Sequence, residues 1–294
     1  MLALLAAVAL FGADWPAMRL LLGVLSPVAM LTLMFFGAAL SAVVTCFFLG
    51  EAPQRGSPVL KACALGVLSP GLNYGLAVSG LAMTNASVTS IASGTEPIAI
   101  VVLSALLLRE RFDRRVWIPL GFTVAGLLAV SFRATTLDPM WGTGTLLVSA
   151  GTLCGAVYII LQRGDRSMRT PHSLAWQLSA GFASTLSLAF LLSPSVFESL
   201  RHASALIVLL ALLFGVVFVH LPFLALTFAS GYLRGQTIGI TFALMPAVGV
   251  AIAMGLLNER PSLAQILGAT AIIAAVIAYE WQVLRPSPRR LSTK

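Results

Sequence analysis

The chain has 294 residues, 59% hydrophobic and 10% charged, with a formal net charge of +8. Soluble domains carry about 25% charged residues, so this excess of apolar side chains does not fit inside one water-soluble core. Alternating strands of about 9–11 residues are absent, which excludes a membrane barrel, and no basic patch is interleaved with aromatics, so no nucleic-acid partner is expected.

The expected fold class is therefore an all-α membrane protein. Ten apolar segments follow one another at about 2–22, 27–49, 58–80, 84–107, 115–132, 142–161, 173–192, 204–229, 235–257 and 262–283, most of them close to the roughly 20 residues that cross a bilayer as a helix. The start, MLALLAAVALFGA, has no basic leader and its apolar run resumes after Arg19. It reads as the first spanning helix rather than a signal peptide. That segment also holds Asp14 and Arg19. Ionisable residues inside a membrane segment are usually paired and functional, but a spacing of five is poor for partners on one helix face. Arg19 is expected to snorkel to the outer interface, which leaves Asp14 another partner or a cavity wall.

The third segment carries Asn73, four residues after Ser69, and Tyr74. The fourth places Asn85, Thr89, Ser93 and Glu96 at i, i+4, i+8 and i+11. On a continuous helix these lie within about 80° of one another. They form a polar stripe leading to a carboxylate near mid-membrane, where an acid costs roughly 2.5–3.5 kcal/mol on insertion scales. Such a stripe reads as the wall of a polar cavity. Glu96 can couple a proton to substrate movement, bind a cationic group, or serve as a neutral acid bonded between helices. In the sixth segment Tyr158 and Gln162 share a face, and either reach substrate or hold helices together. Trp176, at the start of the seventh, reads as an interface anchor. His220 in the eighth, two residues before Pro222, is more often a packing histidine than a proton relay, yet it joins the cavity set. Cys46, Cys63 and Cys154 lie in apolar segments without metal-type spacing and read as small hydrophobes. Neither a metal nor a cofactor is expected. The pairs Gly71/Gly75, Gly151/Gly155, Gly231/Gly235 and Gly235/Gly239 read as close-packing sites between helices.

Basic residues set the orientation. With a cytoplasmic N-terminus, the cytoplasmic loops and tail hold Arg55, Lys61, Arg109, Arg111, Arg114, Arg115, Arg163, Arg166, Arg169, Arg234, Arg285, Arg289, Arg290 and Lys294. Only Arg133, Arg201 and Arg260 fall in the loops on the other side. Both termini are expected inside.

An internal repeat relates Gly66–Arg111 to Gly215–Arg260 at a constant offset of 149. It matches Pro97 with Pro246 and the terminal Leu-Leu-x-Glu-Arg of both segments, ending in Glu110-Arg111 and Glu259-Arg260. The two prolines read as bends in equivalent helices. Glu110 and Glu259 read as hydrogen-bonding groups at helix ends, Glu110 also as a partner for Arg114. Five helices per half is odd, so the second half must run inverted, an architecture common among secondary transporters.

The blocks TEPIAIVVLSALLLRERFDRRVWIPLGFTVAGLLAV and LMPAVGVAIAMGLLNERPSLAQILGATAIIAAVIAY, each with a mid-helix proline, a helix-end Glu and a later Gly (Gly121, Gly268), resemble EamA-type members of the drug/metabolite transporter superfamily. Phe11-Gly12 stands where that family often has Trp-Gly. The resemblance implies ten transmembrane helices in two repeats, residues 1–133 and an inverted 141–283, with 284–294 as a short basic cytoplasmic tail. It also implies a central cavity and export or exchange of small metabolites or drugs, by proton exchange, across a cell membrane such as the bacterial inner membrane.

The expected partners are a small-molecule substrate and membrane lipid, and a homodimer stays open. No enzyme signature such as HExxH or GxSxG is present. The expected site is Asp14, Asn73, Tyr74, Asn85, Thr89, Ser93, Glu96, Tyr158, Gln162 and His220, with Glu96 as the proton-coupling group and one half rocking against the other. A passive facilitator, an intramembrane enzyme on a lipid-linked substrate and a non-transporting scaffold remain as alternatives.

Overall fold

The computed structural model describes residues 1–50, 55–110, 139–192 and 195–260, with scattered helical positions within 117–125 and 263–277. Every regular element among the described residues is a helix. Eight helices are long and apolar enough to cross a membrane, which makes this a multi-pass membrane protein. They are α1 (Leu2–Leu22), α2 (Pro27–Leu49), α3 (Ser57–Met83), α4 (Ala86–Leu107), α5 (Pro139–Gly164), α6 (Pro171–Leu192), α7 (Ala205–Ser230) and α8 (Gly235–Leu257). They coincide with eight of the expected apolar segments to within a few residues. The segments 115–132 and 262–283 lie largely, and the tail 284–294 and Gly268 wholly, outside the described residues.

Local chemistry sets the helix ends. In α2, Ser26 accepts from the Ala29 N–H (3.3 Å), Pro27 opens the first turn, and Gly50 closes the helix at φ 63°. A proline there loses no helix bond, and glycine takes the left-handed conformation freely. Asn85 caps α4 through the Val88 N–H (2.8 Å).

Four helices are interrupted near their middles. In α3 a π-type segment, Val67–Leu72, contains Ser69 in extended geometry (φ −149°, ψ 123°) just before Pro70, the conformation favoured ahead of proline. In α7 the π-type segment is Gly215–His220. Helix α4 pauses at Ser93-Gly94 and restarts as Thr95–Leu107, while α8 pauses at Ala243-Leu244 and restarts as Met245–Leu257. Both pairs of interruptions recur within one residue of the offset of 149. Pro97 and Pro246 fall in the first turn of a restarted segment, where backbone N–H groups have no helical partner to lose.

The packing interleaves the chain. Helix α1 lies chiefly against α7 and α8, whereas α5 lies chiefly against α3 and α4. Helix α2 packs on α6 and α7, and α6 on α2 and α3. Glycines permit the closest approaches. A Cβ on Gly66 would collide with the Gln177 carbonyl oxygen, and one on Gly215 with that of Met34. Gly151 leaves room for the backbone of Asn73 and Ala77, while Gly75 faces open space.

Helices α4 and α8 cross antiparallel, each half of one on the opposite half of the other. Two glutamates bind the crossing at its ends. Glu110 accepts from the N–H groups of Gly235 (3.2 Å) and Gln236 (3.4 Å), the first turn of α8. Glu259 accepts from those of Ala86 (3.0 Å) and Ser87 (2.9 Å), the first turn of α4. All three correspondences, 86 with 235, 87 with 236 and 110 with 259, obey the offset of 149. Before each glutamate the chain turns through a left-handed residue, Arg109 (φ 53°) or Asn258 (φ 52°). Each glutamate N–H then reaches six residues back, to Ser104 or Ala253 (3.3 Å each), as in a Schellman-type helix end. Glu110 also pairs with Arg163 of α5, while Arg114 lies outside the described residues.

These contacts define two ends of the molecule. One gathers Glu110, Arg163 and the start of α8, together with Lys61, which reaches Asp165 (3.2 Å). Asp165 also accepts from the Ser167 hydroxyl (2.7 Å) and N–H (2.9 Å), and these bonds, the hydroxyl foremost, hold its carboxyl below the usual carboxylate range. The other end gathers Glu259, the start of α4, and Arg19, which donates to the Leu81 carbonyl (2.9 Å). Arg19 therefore ties the end of α1 to the end of α3 instead of only snorkelling.

Loss of a helix cap costs about 0.5–2 kcal/mol. Glu110→Ala and Glu259→Ala are each expected to lower the unfolding temperature in detergent. Glu110→Ala should lower it more, since Arg163 also loses its acidic partner, and the double variant should lose roughly the sum because the sites are far apart. Equal stability of wild type and both single variants would contradict the capping role.

Candidate functional site

Where the interrupted stretches of α3, α4 and α8 meet α1, α5 and α7, the helices leave a narrow cavity of about 20 Å³. One water needs roughly 10–15 Å³ of such space, so the cavity in this conformation has room for water and must widen to admit a larger ligand. From α1 come Phe11, Asp14 and Trp15, from α3 Ser69, Asn73 and Tyr74, and from α4 Glu96. Helix α5 adds Thr152, Gly155, Tyr158 and Ile159, α7 Phe223 and Leu226, and α8 Phe242 and Met245.

Glu96 stands in the first turn of the restarted half of α4. The positive end of a helix dipole favours a carboxylate there. Its side chain is buried (7% exposed), and no described residue hydrogen-bonds it. Gly155 of α5 makes the room: a Cβ there would lie 2.5 Å from Glu96 Oε1 and 2.7 Å from Asn73 Nδ2. Asn73 donates to Ser69 Oγ (3.1 Å), one turn earlier in α3. Asp14 is also buried (1% exposed). Tyr74 donates to its Oδ2 (3.1 Å), while Oδ1 has no partner among the described residues. Asp14 thus finds its partner in α3.

The rest of the lining is aromatic and continuous. Phe11 meets Phe223 edge-on with centroids 5.2 Å apart, and Phe242 at 5.8 Å. Trp15 lies 5.7 Å from Tyr74, and Tyr158 5.5 Å from Phe223. Tyr158 presents its ring to the cavity while its hydroxyl is held behind it, donating to Gln177 Oε1 (2.6 Å) and accepting from Gln162 Nε2 (2.9 Å).

Of the ten residues expected at the site, the structure brings Asp14, Asn73, Tyr74, Glu96 and Tyr158 together. The other five stand elsewhere. Asn85 caps α4. Thr89 bonds Thr84 (2.9 Å) beneath the end of α3, and Ser93 bonds the Ser90 carbonyl (2.6 Å) in the pause of α4. The stripe assumed an unbroken helix. The pause shifts Glu96 relative to the turns before it, and the three smaller groups satisfy themselves locally, as such side chains do. Gln162 supports Tyr158 and reaches Thr227 of α7 (3.2 Å). His220 Nδ1 meets the Ser41 hydroxyl (2.9 Å), joining α7 to α2 away from the cavity.

Sequence reasoning missed Phe11, Trp15, Phe223 and Phe242, which carry no signal separating a cavity-facing ring from a lipid-facing one. It also missed Gly155 as a site residue. The GxxxG spacing marked that glycine, but as a packing position.

Tyr74→Phe removes the described side-chain partner of Asp14. Leaving a buried acceptor unpaired costs about 1–3 kcal/mol, so Tyr74→Phe should unfold at lower temperature in detergent. Asp14→Leu in the Tyr74→Phe background should recover part of that loss, since replacing both partners by apolar groups costs less than orphaning one. No difference between Tyr74→Phe and wild type would contradict the bond.

Comparison with known proteins bears on what such a cavity serves. A solved structure described as "Crystal structure of protein" superposes with a TM-score of 0.73 over 99% of this chain and 98% of its own, at 19% identity, which shows a shared fold. The "Uncharacterized transporter YdfC" of Bacillus subtilis (strain 168) is 22% identical over 212 residues, 72% of this chain and 68% of that protein. Residues 1–132 and 142–279 each match the EamA-like transporter family. With nearly its whole length matched, the chain belongs to the EamA-like transporter family.

Proposed function

We propose that the protein is a secondary transporter that moves a small organic metabolite or drug by alternating access around the cavity of Glu96. Export by proton exchange is the direction that the family resemblance favours. One observation carries the reading: a buried carboxylate without a described hydrogen-bond partner faces a cavity at a helix interruption, in a chain of a transporter family. Intramembrane acids that face a cavity mark proton and substrate pathways, and interrupted helices are a recurring feature of transporter binding sites.

The architecture proposed with it is ten helices in two repeats, 1–133 and an inverted 141–283, with 284–294 as a cytoplasmic tail. Both termini lie in the cytoplasm, in a bacterial inner membrane. The recurrence of both pairs of interruptions and of both glutamate caps at one offset supports the repeat. The antiparallel crossing of α4 and α8 supports the inversion.

The packing bears on the motion. Helix α1 rests on α7 and α8, and α5 on α3 and α4. These contacts cross between the sequence halves, so rocking of one half against the other has to shift them.

In proteoliposomes, Glu96→Gln should abolish substrate flux driven by a pH gradient. Unchanged pH-driven flux would remove Glu96 from coupling. In a background lacking Cys46, Cys63 and Cys154, Lys61→Cys and Arg260→Cys should react with impermeant thiol reagent from opposite faces, position 61 from the cytoplasm. Labelling from one face would overturn the inverted arrangement.

A further inference from the structure

We propose that the cavity takes an organic monocation, a small amine whose ammonium group sits beside Glu96 and whose apolar body lies on the aromatic wall. This rests on the reading of the cavity as the transport site and names the substrate class for it.

Charge is the first argument. The ionisable carboxyl groups on the described lining are Asp14 and Glu96, and no Lys, Arg or His stands among the described lining residues. Nearby cationic candidates are engaged elsewhere: Arg19 on the Leu81 carbonyl, Arg163 on Glu110, His220 on Ser41. A carboxylate, phosphate or sulfonate entering this space would shed its water and meet acids with no counter-ion. Burying a charge without a partner is heavily penalised. A zwitterion would satisfy its amine and leave its carboxylate orphaned. A monocation supplies the one charge that the lining lacks.

The hydrogen-bonding inventory agrees. An ammonium group donates and cannot accept. Glu96 is an acceptor when ionised, and no described residue hydrogen-bonds it. Asn73 gives one N–H of Nδ2 to Ser69 and holds that nitrogen toward Glu96 over Gly155, while its Oδ1 stays an acceptor. The third argument is the wall itself. Trp15, Tyr74, Phe223, Phe11 and Phe242 form one continuous set of ring contacts. Ring faces attract cations within about 6 Å and bury apolar bodies.

The test uses the purified full-length protein in detergent, titrated calorimetrically with phenethylamine, 3-phenylpropionate and 2-phenylethanol, a cation, an anion and a neutral molecule with a common phenylethyl core. Phenethylamine should bind at least tenfold tighter than the other two, and Glu96→Gln should weaken it at least tenfold while leaving 2-phenylethanol unchanged. Gly155→Ala, which crowds the carboxylate without removing it, should weaken phenethylamine similarly and serves if Glu96→Gln does not elute as a monodisperse protein. Trp15→Leu should weaken it several-fold with the acid intact. Equal or tighter binding of 3-phenylpropionate, no binding of phenethylamine, or an amine affinity indifferent to both Glu96→Gln and Gly155→Ala would overturn the assignment. Any of these leaves the transport reading to its own flux measurement. Conversely, amine binding that depends on Glu96 in a protein that shows no flux would uphold the assignment and sink transport.

Discussion

The structure depends on an exchange of helix caps. Helices α4 and α8 each begin with backbone N–H groups that no turn of their own can satisfy, and each is finished by a glutamate from the far end of the other. Carboxylates are well matched to that place, because they accept two bonds and answer the positive end of the helix dipole. The left-handed turns at Arg109 and Asn258 direct the glutamates there. Non-glycine residues enter that conformation at a cost of roughly 1–2 kcal/mol, which the caps offset. With both ends held, the two helices cross near the middle, where each pauses.

That pause creates the cavity's chemistry. A continuous α4 would carry Glu96 on a face set by the turns before it. The interruption instead opens a new helix start inside the protein and puts the acid in its first turn. Gly155 then withholds a side chain from the space that the carboxylate and Asn73 occupy. The equivalent position in the other half is Met245, also on the lining. Near-symmetric backbones thus enclose an asymmetric lining: both acids and the amide come from the first half, while rings come from both.

Much of this was legible in the sequence. The apolar segments marked α1 to α4 and α5 to α8 because twenty-odd residues of hydrocarbon-compatible chain leave few other folds. The repeated Leu-Leu-x-Glu-Arg and the paired prolines pointed to equivalent elements, and the structure places Glu110 and Glu259 in equivalent bonds. The polar stripe misled at Asn85, Thr89 and Ser93, since a helical angle computed across Ser93-Gly94 presumes that the helix continues. Gln162 and His220 were misplaced for another reason. A polar group inside a membrane helix needs a partner, but spacing along one helix does not say whether the partner is a ligand or Thr227 and Ser41 on neighbouring helices. The aromatic wall was invisible, because lipid and an apolar cavity ask the same of a phenylalanine.

The interleaved packing has a consequence for biogenesis. A ribosome delivers α1 long before α7 and α8, the helices on which it comes to rest. The early half of the polypeptide therefore enters the bilayer with its native neighbours still unmade, and waits there as a loosely associated set of spans. Asp14 shares that wait with its later surroundings incomplete: Tyr74 follows within the same half, but Phe223 and Phe242 close the cavity only when synthesis nears its end. Final assembly is accordingly a late, whole-chain event, and a truncated translation product would lack not only half of the helices but the seat of the first one.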